Sequence, residues 1–360
     1  MKKKLALILF SIIIATLTLL GCSKQVSETQ TSPKSDKITV TDSSGAKVEV
    51  PTNISRIADA WGAHNAVVAM LGSGDKIVAT TLNAKLKPWL FKVTPKMNNA
   101  VTTFNVDATN INMEELIKTK PDILFMSTGN KNISKMSDLK IPVVQVSFKD
   151  FDSMKKCVKL TGDILGEEGK KRAQQYVSYL DNKINMISSV TSKIPEDQKL
   201  KVLHIADFSP LKVDGKDTII DSWIKVSGGI NAAGDVSGNA KEVSMEQILT
   251  WNPDVIIVSS TVGNADRKKS LTEILNDETW KKTNAVQKGR VYVNPDGAFS
   301  WDRYSAEEAL QIQWVAKTLY PEKFQSLDVG KETKWFYKTF FNYSLSDSEV
   351  QRILNGQPPQ

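Results

Sequence analysis

The sequence predicts an α/β protein built as two Rossmann-like lobes with mainly parallel sheets, joined by one long α-helix, with a cleft between the lobes. Three observations carry this. Short apolar strands alternate with amphipathic helices in two separate stretches of the 360 residues. Between those stretches, from about residue 151 to residue 190, strand signals vanish and helical periodicity takes over. And one dozen residues occurs twice: MEELIKTKPDIL at 113–124 and MEQILTWNPDVI at 245–256. A helix stopped by Pro and followed by a β-branched run is a common local solution. Two copies with the same flanking order point to two equivalent lobes.

The elements follow in order. MKKK is a positive n-region and LALILFSIIIATLTLL an apolar h-region, too short for a comfortable membrane span. It closes on Leu19-Leu20-Gly21-Cys22, which looks like a bacterial lipobox, so residues 1–21 read as a lipoprotein signal peptide and Cys22 as the lipidated first mature residue. The polar, Ser/Thr-rich run over 22–36 cannot bury a core and reads as a flexible tether. With Cys22 lipidated, the second cysteine, Cys157, has no partner within the chain and reads as a small buried residue.

KITVTDSSGAKVEVP reads as a hairpin around a turn cluster. RIADA, KIVATT, DILFMS and PVVQVSF read as strands, alternating with helices at HNAVVAMLG, NMEELIKTK and near 135–139. These make an N-terminal α/β lobe over 37–150. The connecting segment, 151–194, holds the long helix, whose apolar side is Ala173, Tyr176, Val177, Leu180, Ile184 and Ile187. KVLHIA, DVIIVSS and RVYVNP are the strands of a C-terminal lobe over 195–322, with helices at DTIIDSWIKVSGG, SMEQILTWN, KSLTEILND and RYSAEEALQIQWVAKTLYP. Two further helices lie in 323–360.

Within the repeat, Asn112 and Ser244 are placed to cap their helices, and Glu115 and Gln247 to reach back as in a capping box. Glu114 and Glu246 are then left over at the second helical position. Each either complements the helix dipole, worth about 0.3–1 kcal/mol, or projects outward as one of a pair of docking charges.

Composition excludes several functions. The formal charge of +7 includes three lysines of the leader, no basic run or zinc-finger spacing follows, and nucleic-acid binding is not expected. There is no Gly-x-Ser-x-Gly, His-Glu-x-x-His, P-loop or dinucleotide fingerprint, so the chain is not expected to be an enzyme. The histidines are two, His64 and His204, and His204 falls inside a predicted strand, too few for a dedicated zinc cage.

The lipobox, the hairpin, the two α/β lobes, the long connecting helix and the paired M-E…P-D segments together resemble the substrate-binding lipoproteins of iron–siderophore, haem and cobalamin ABC importers. The resemblance covers nearly all of the mature chain. It implies an extracytoplasmic, membrane-anchored monomer of a bacterium that hands a small molecule to a permease dimer with a cytoplasmic ATPase. It implies no covalent cofactor and no resident metal; the transported ligand is an iron chelate, haem or corrinoid. It also implies that Glu114 and Glu246, each seven residues before its Pro-Asp, dock the permease. In place of the Pro-Ser-x-Thr-Glu of many members, this chain has Ala60-Trp61-Gly62-Ala63-His64-Asn65.

In open α/β sheets ligands sit beyond the carboxyl ends of the strands. That rule selects Trp61, His64, Trp89, Asn130, Asp207, Phe208, Arg267, Phe299, Trp301, Asp302 and Arg303 as ligand-binding candidates. The aromatic residues suit a large organic ligand and the arginines an anion. The alternative for the tryptophans is packing on the sheets, and for Asp302 and Arg303 a mutual pair or a helix cap. A metal oxyanion such as molybdate is the alternative ligand; an extracellular lipid-anchored enzyme or a surface adhesin is the alternative function.

Overall fold

The computed structural model describes residues 36–260, 271–272 and 274–360. The expected signal peptide, Cys22, nearly all of the tether and Arg267 lie outside the described residues.

Strands β1 (Lys37–Thr41) and β2 (Lys47–Pro51) pair antiparallel as the opening hairpin. Asp42 builds the turn: its Oδ1 accepts the amides of Ser44 and Ala46, and Gly45 supplies the left-handed residue at φ +88°. The other carboxylate oxygen accepts the Gln145 amide, which fastens the hairpin to the first lobe.

That lobe alternates strand and helix: β3 (Ile57–Asp59), α1 (Gly62–Met70), β4 (Ile77–Thr80), α2 (Pro88–Val93), β5 (Val101–Thr102), α3 (Met113–Lys118), β6 (Ile123–Ser127), α4 (Ile133–Met136) and β7 (Val143–Val146). Every pair in its sheet is parallel, in the order β5-β4-β3-β6-β7. The strands are covered on both faces, hence their nearly unbroken apolar runs such as Ile123–Met126.

The connection is two helices rather than one. Helix α5 (Phe151–Ile164) turns at Gly166, φ +88°, into α6 (Glu167–Thr191), and the two pack closely. A Cβ on Gly162 would lie 2.6 Å from Ala173 Cβ and 2.9 Å from Gly169 O, so the approach depends on glycine. Ala173, Tyr176, Val177, Leu180 and Ile187 of α6 are buried, with Ile184 partly so.

The second lobe holds β8 (Lys201–Phe208), β9 (Leu211–Val213), α7 (Ile219–Val226), β10 (Ile230–Asn231), β11 (Lys241–Glu242), α8 (Met245–Trp251), β12 (Val255–Val258) and β13 (Val291–Val293). Its sheet runs β11-β9-β8-β12-β13, with β10 also on β8. The β8, β10, β12 and β13 pairs are parallel; β9 runs antiparallel to β8 and β11, an addition that the sequence pattern did not announce. Helices α9 (Glu308–Leu319), α10 (Val329–Phe340) and α11 (Asp347–Leu354) close the chain.

The repeated dozen has the same job in each lobe. Leu116 and Ile248 are fully buried beneath their helices. Asp122 donates its amide to Arg56 O, and its Oδ2 accepts the amides of Ser55 and Arg56, where β3 begins. Asp254 donates its amide to Lys201 O, and its Oδ2 accepts the Lys201 amide, where β8 begins. Each Pro-Asp thus clips the strand it starts to the strand beside it. Asn112 and Ser244 cap their helices through the amides of Glu115 and Gln247. The reciprocal half of a capping box does not form at Glu115, whose carboxylate pairs with Lys118 at 2.9 Å.

Candidate functional site

The carboxyl ends of the parallel strands from both lobes meet at a cleft of about 730 Å³. Trp61 enters it from the turn after β3. Leu82 and Ala84–Pro88 follow β4, Ser260 follows β12, and Asp296, Phe299, Arg303 and Tyr304 follow β13. Pro358, beyond α11, completes one wall.

Two sets of contacts cross between the lobes at this cleft. On one side the Trp61, Phe148 and Tyr304 rings form a triangle, with centroids 5.3, 5.6 and 5.9 Å apart. On the other, Lys87 Nζ donates to Asp296 Oδ1 at 3.1 Å and to Ser300 Oγ at 2.5 Å, and sits 4.7 Å from the centre of the Phe299 ring. Nearby, Trp89 Nε1 donates to Gln357 O at 2.8 Å and Lys92 pairs with Glu349 of α11 at 2.9 Å, so α11 and the chain after it are fastened to α2 of the first lobe.

Arg303 is held from behind. Its guanidinium bonds Asp214 Oδ2 at 2.5 Å and Ser259 Oγ at 3.3 Å. The same Asp214 oxygen lies 2.7 Å from His204 Nδ1, and His204 Nε2 lies 2.9 Å from Asp302 Oδ2. Burial alone favours neutral groups, yet the mutual attractions prevail. The imidazole of His204 is raised above its ordinary value by Asp214 and Asp302, against the cost of burial. Burial pushes Asp214 and Asp302 up, but His204 and Arg303 outweigh it and hold both carboxyls low. His204 and Arg303 against two carboxylates make a buried cluster whose outer member, Arg303, faces the cleft.

The candidates read from the sequence divide sharply. Trp61, Phe299 and Arg303 line the cleft. His64 does not: it is fully buried, with Nδ1 2.8 Å from Asp59 and Nε2 2.9 Å from Thr161 Oγ1, because α1 folds it under the sheet end. Trp89 is sealed beneath the chain after α11. Trp301 is fully buried, its indole donating to Glu307 Oε1 at 2.9 Å. Asp302 is buried against His204 and Ser260 rather than paired with Arg303. Asn130 braces its own loop, donating to the Asp107 and Ala108 carbonyls. Asp207 accepts the amides of Phe208 and Ser209, and Phe208 packs on the second lobe's core; β8 runs on through both, pairing them with Lys212 and Leu211 of β9, away from the cleft lining.

Lys87, Asp296, Tyr304 and Glu307 were not among the candidates. The strand-end rule reaches the loop of Lys87 and the segment of Tyr304. No local signal marks Glu307, whose role depends on what the fold brings around it.

Glu114 and Glu246 lie exposed at the starts of α3 and α8. Glu114 is bridged by Lys118 at 2.8 Å, and the low pKa of Glu246 comes from its bond to Ser244. Among the described residues no cluster of three His, Cys, Asp or Glu side chains could hold a metal ion, and no helix is long and apolar enough to cross a membrane.

Residues 62–298 match the periplasmic binding protein family. The molybdate-binding protein MolA of Haemophilus influenzae is 26% identical over 87% of this chain and 93% of its own length. An ABC transporter substrate-binding lipoprotein of Bacillus subtilis, YvrC, is 25% identical over 90% of this chain and 99% of its own. Among solved structures, a periplasmic solute binding protein from Veillonella parvula superposes with a TM-score of 0.75 at 31% identity, covering 89% of this chain and 97% of that one. Molybdate-bound MolA gives a TM-score of 0.76 at 24% identity, over 86% and 99% of the two chains.

Proposed function

The chain belongs to the periplasmic binding protein family, and from that premise we propose that its interlobe cleft captures a metal chelate: an iron–siderophore complex, haem or a corrinoid. The coarse role follows from the family: this is the extracytoplasmic solute-binding protein of an ABC transporter, not an enzyme. The cleft carries the finer reading. Its volume of about 730 Å³ falls in the range of roughly 300–1,000 Å³ typical of pockets for sizeable organic ligands. Trp61, Phe299 and Tyr304 set aromatic rings into a wall otherwise largely aliphatic, with Lys87 and Arg303 as oriented cations. A bare oxyanion is only a few atoms across and would leave most of this space empty.

Molybdate is the second reading. The similarity to MolA favours it, and Arg303 with Lys87 offers donors for an oxyanion. Titration with a ferric trihydroxamate, haem, cobalamin and molybdate, followed by tryptophan fluorescence, separates the two. Submicromolar binding of a chelate supports the first; molybdate binding alone replaces it. Native mass spectrometry of protein from its own host would identify a co-purified ligand directly.

Docking is assigned to Glu114 and Glu246. Within the repeat, the buried apolar residue, the cap and the Pro-Asp clip are each used by the fold; of the positions exposed in both copies, 114/246 and 118/250, only the first holds the same residue, glutamate, in each. One per lobe suits a two-fold permease. We take the lobes as 37–150 and 195–322 and attachment as a lipid on Cys22, which would keep the receptor beside its permease as a monomer.

A further inference from the structure

We propose that Glu307 is the positioning residue of the cleft's second-lobe wall: its ionised carboxylate gathers the backbone of Ala298 and Phe299 into the conformation that presents the Phe299 ring to the ligand. This rests on the reading of the interlobe cleft as the ligand site.

Glu307 precedes α9 and is fully buried. Its Oε2 accepts the Phe299 amide at 2.8 Å and the Ser305 hydroxyl at 3.4 Å. Its Oε1 accepts the Trp301 indole at 2.9 Å, the Tyr337 hydroxyl at 2.5 Å and the Ala298 amide at 3.3 Å. Tyr337 relays one further contact, since its oxygen also accepts the Ala298 amide at 2.8 Å. Five donors thus converge on one carboxylate. The backbone leaves room for it: a Cβ on Gly297 would fall 2.0 Å from Glu307 Oε1 and 2.4 Å from Tyr337 Oη. A glycine at 297 is what lets the loop close over the acid.

Such a cradle suits a carboxylate better than a carboxylic acid: three of the five donors are N–H groups that cannot accept the acid's proton, and only the Ser305 and Tyr337 hydroxyls could. Burial nevertheless pushes the Glu307 carboxyl up to about 7, with Asp296 adding to it and the Phe299, Tyr337 and Trp301 donors opposing. The charged and titratable groups acting on it are Asp296 on the held loop, Tyr337 from α10 and Tyr176 from α6, with Glu308 next to it in the chain and Lys87 reaching Asp296 across the cleft. Glu307 therefore gains its charge as pH rises through neutrality, and the loop should tighten with it.

Stability runs the opposite way. A carboxyl whose pKa is raised in the folded chain favours folding below its ordinary value, and that contribution is lost as pH rises through about 7. Tightening of the 298–301 loop with rising pH cannot then be a by-product of a more stable fold, and this separates positioning from mere structure.

The test uses the ligand-free mature chain. Exchange of the Ala298 and Phe299 amides and the indole N–H signal of Trp301 are followed from pH 5.5 to 8.5, with exchange corrected for its intrinsic pH dependence. The expected result is at least a tenfold gain in amide protection with a midpoint near 7, absent in Glu307→Gln. Tyr337→Phe removes one donor to the carboxylate and should move the midpoint to higher pH. A flat wild-type profile, or the same profile in Glu307→Gln, overturns the proposal. Should Glu307→Gln fail to fold, an unmoved midpoint in Tyr337→Phe overturns it equally. In a second arm, molybdate and a ferric trihydroxamate are titrated at pH 6 and pH 8. The probe that binds at pH 8 should bind wild type at least fivefold more weakly at pH 6, and this ratio should collapse in the variant. Binding of neither probe would count against the cleft as the ligand site, while the exchange arm still decides Glu307.

Discussion

His204 Nε2 lies 2.9 Å from Asp302 Oδ2, with neither side chain exposed to solvent. The imidazole joins two aspartates, and through Asp214 it sets the position of Arg303. Replacing His204 with Leu would leave two buried carboxylates facing one arginine. We expect a loss of about 3–5 kcal/mol, read by urea unfolding at pH 6. The raised pKa of His204 fixes the sign of the pH dependence. Its contribution is complete below about pH 6.5 and is lost as pH climbs through the folded value. That slope should be missing in the variant.

Trp61 and Trp301 make opposite predictions. Trp301→Ala removes a buried ring and one of the five donors to Glu307, and should cost about 3–5 kcal/mol of stability. Trp61→Ala should lower the folding midpoint far less but weaken ligand binding by about 1–3 kcal/mol, roughly ten- to a hundredfold. Thermal unfolding and fluorescence titration on the same samples check both.

The double variant Glu114→Lys, Glu246→Lys reverses charge at two exposed helix starts. Stability should change by less than about 1–2 kcal/mol and ligand affinity by no more than a few-fold, while uptake falls sharply. Normal uptake would return both residues to a helix-dipole role.

Asp122→Ala and Asp254→Ala each remove the clip between neighbouring strands. Each should cost about 1–3 kcal/mol by chemical denaturation, with Asp122 the larger because it accepts two backbone amides and the Ser55 hydroxyl, whereas Asp254 accepts one backbone amide and the Asn284 side chain. Burial raises the Asp122 carboxyl, but the Ser55 and Arg56 donors hold it below its ordinary value. Its contribution is thus present above about pH 4 and lost as pH falls through the folded value.

Cys22→Ser should abolish lipidation and release the protein from membranes or leave it unprocessed. Fractionation unchanged from wild type, with a mature N-terminus, would sink the anchor.

Much of the fold was legible because it is written in local patterns. Alternating strands and helices, the capping residues Asn112 and Ser244 and the Pro-Asp stops appear in the sequence where the structure uses them. The cleft was only partly legible. Position after a strand end identifies a loop but not which of its side chains turn outward. In Phe299-Ser300-Trp301-Asp302-Arg303 the first and last face the cleft, while Trp301 and Asp302 turn inward to Glu307 and His204. Those inward partners lie on other elements, so no window on the sequence could reveal them. Trp89 was misread for the same reason: its cover, Gln357, is 268 residues away.

The chain beyond α11 opens a practical route to a sensor. Pro358 stands in the cleft wall and Gln360, two residues on, is exposed. The described part of the chain holds one thiol, Cys157, which is buried and pushed up to about 12 chiefly by that burial. In a soluble form beginning after Cys22, a cysteine introduced at Gln360 would therefore react alone with a maleimide dye. The dye would sit at the rim of the cleft, where an arriving solute changes its polarity, and its emission would report occupancy without any added reagent.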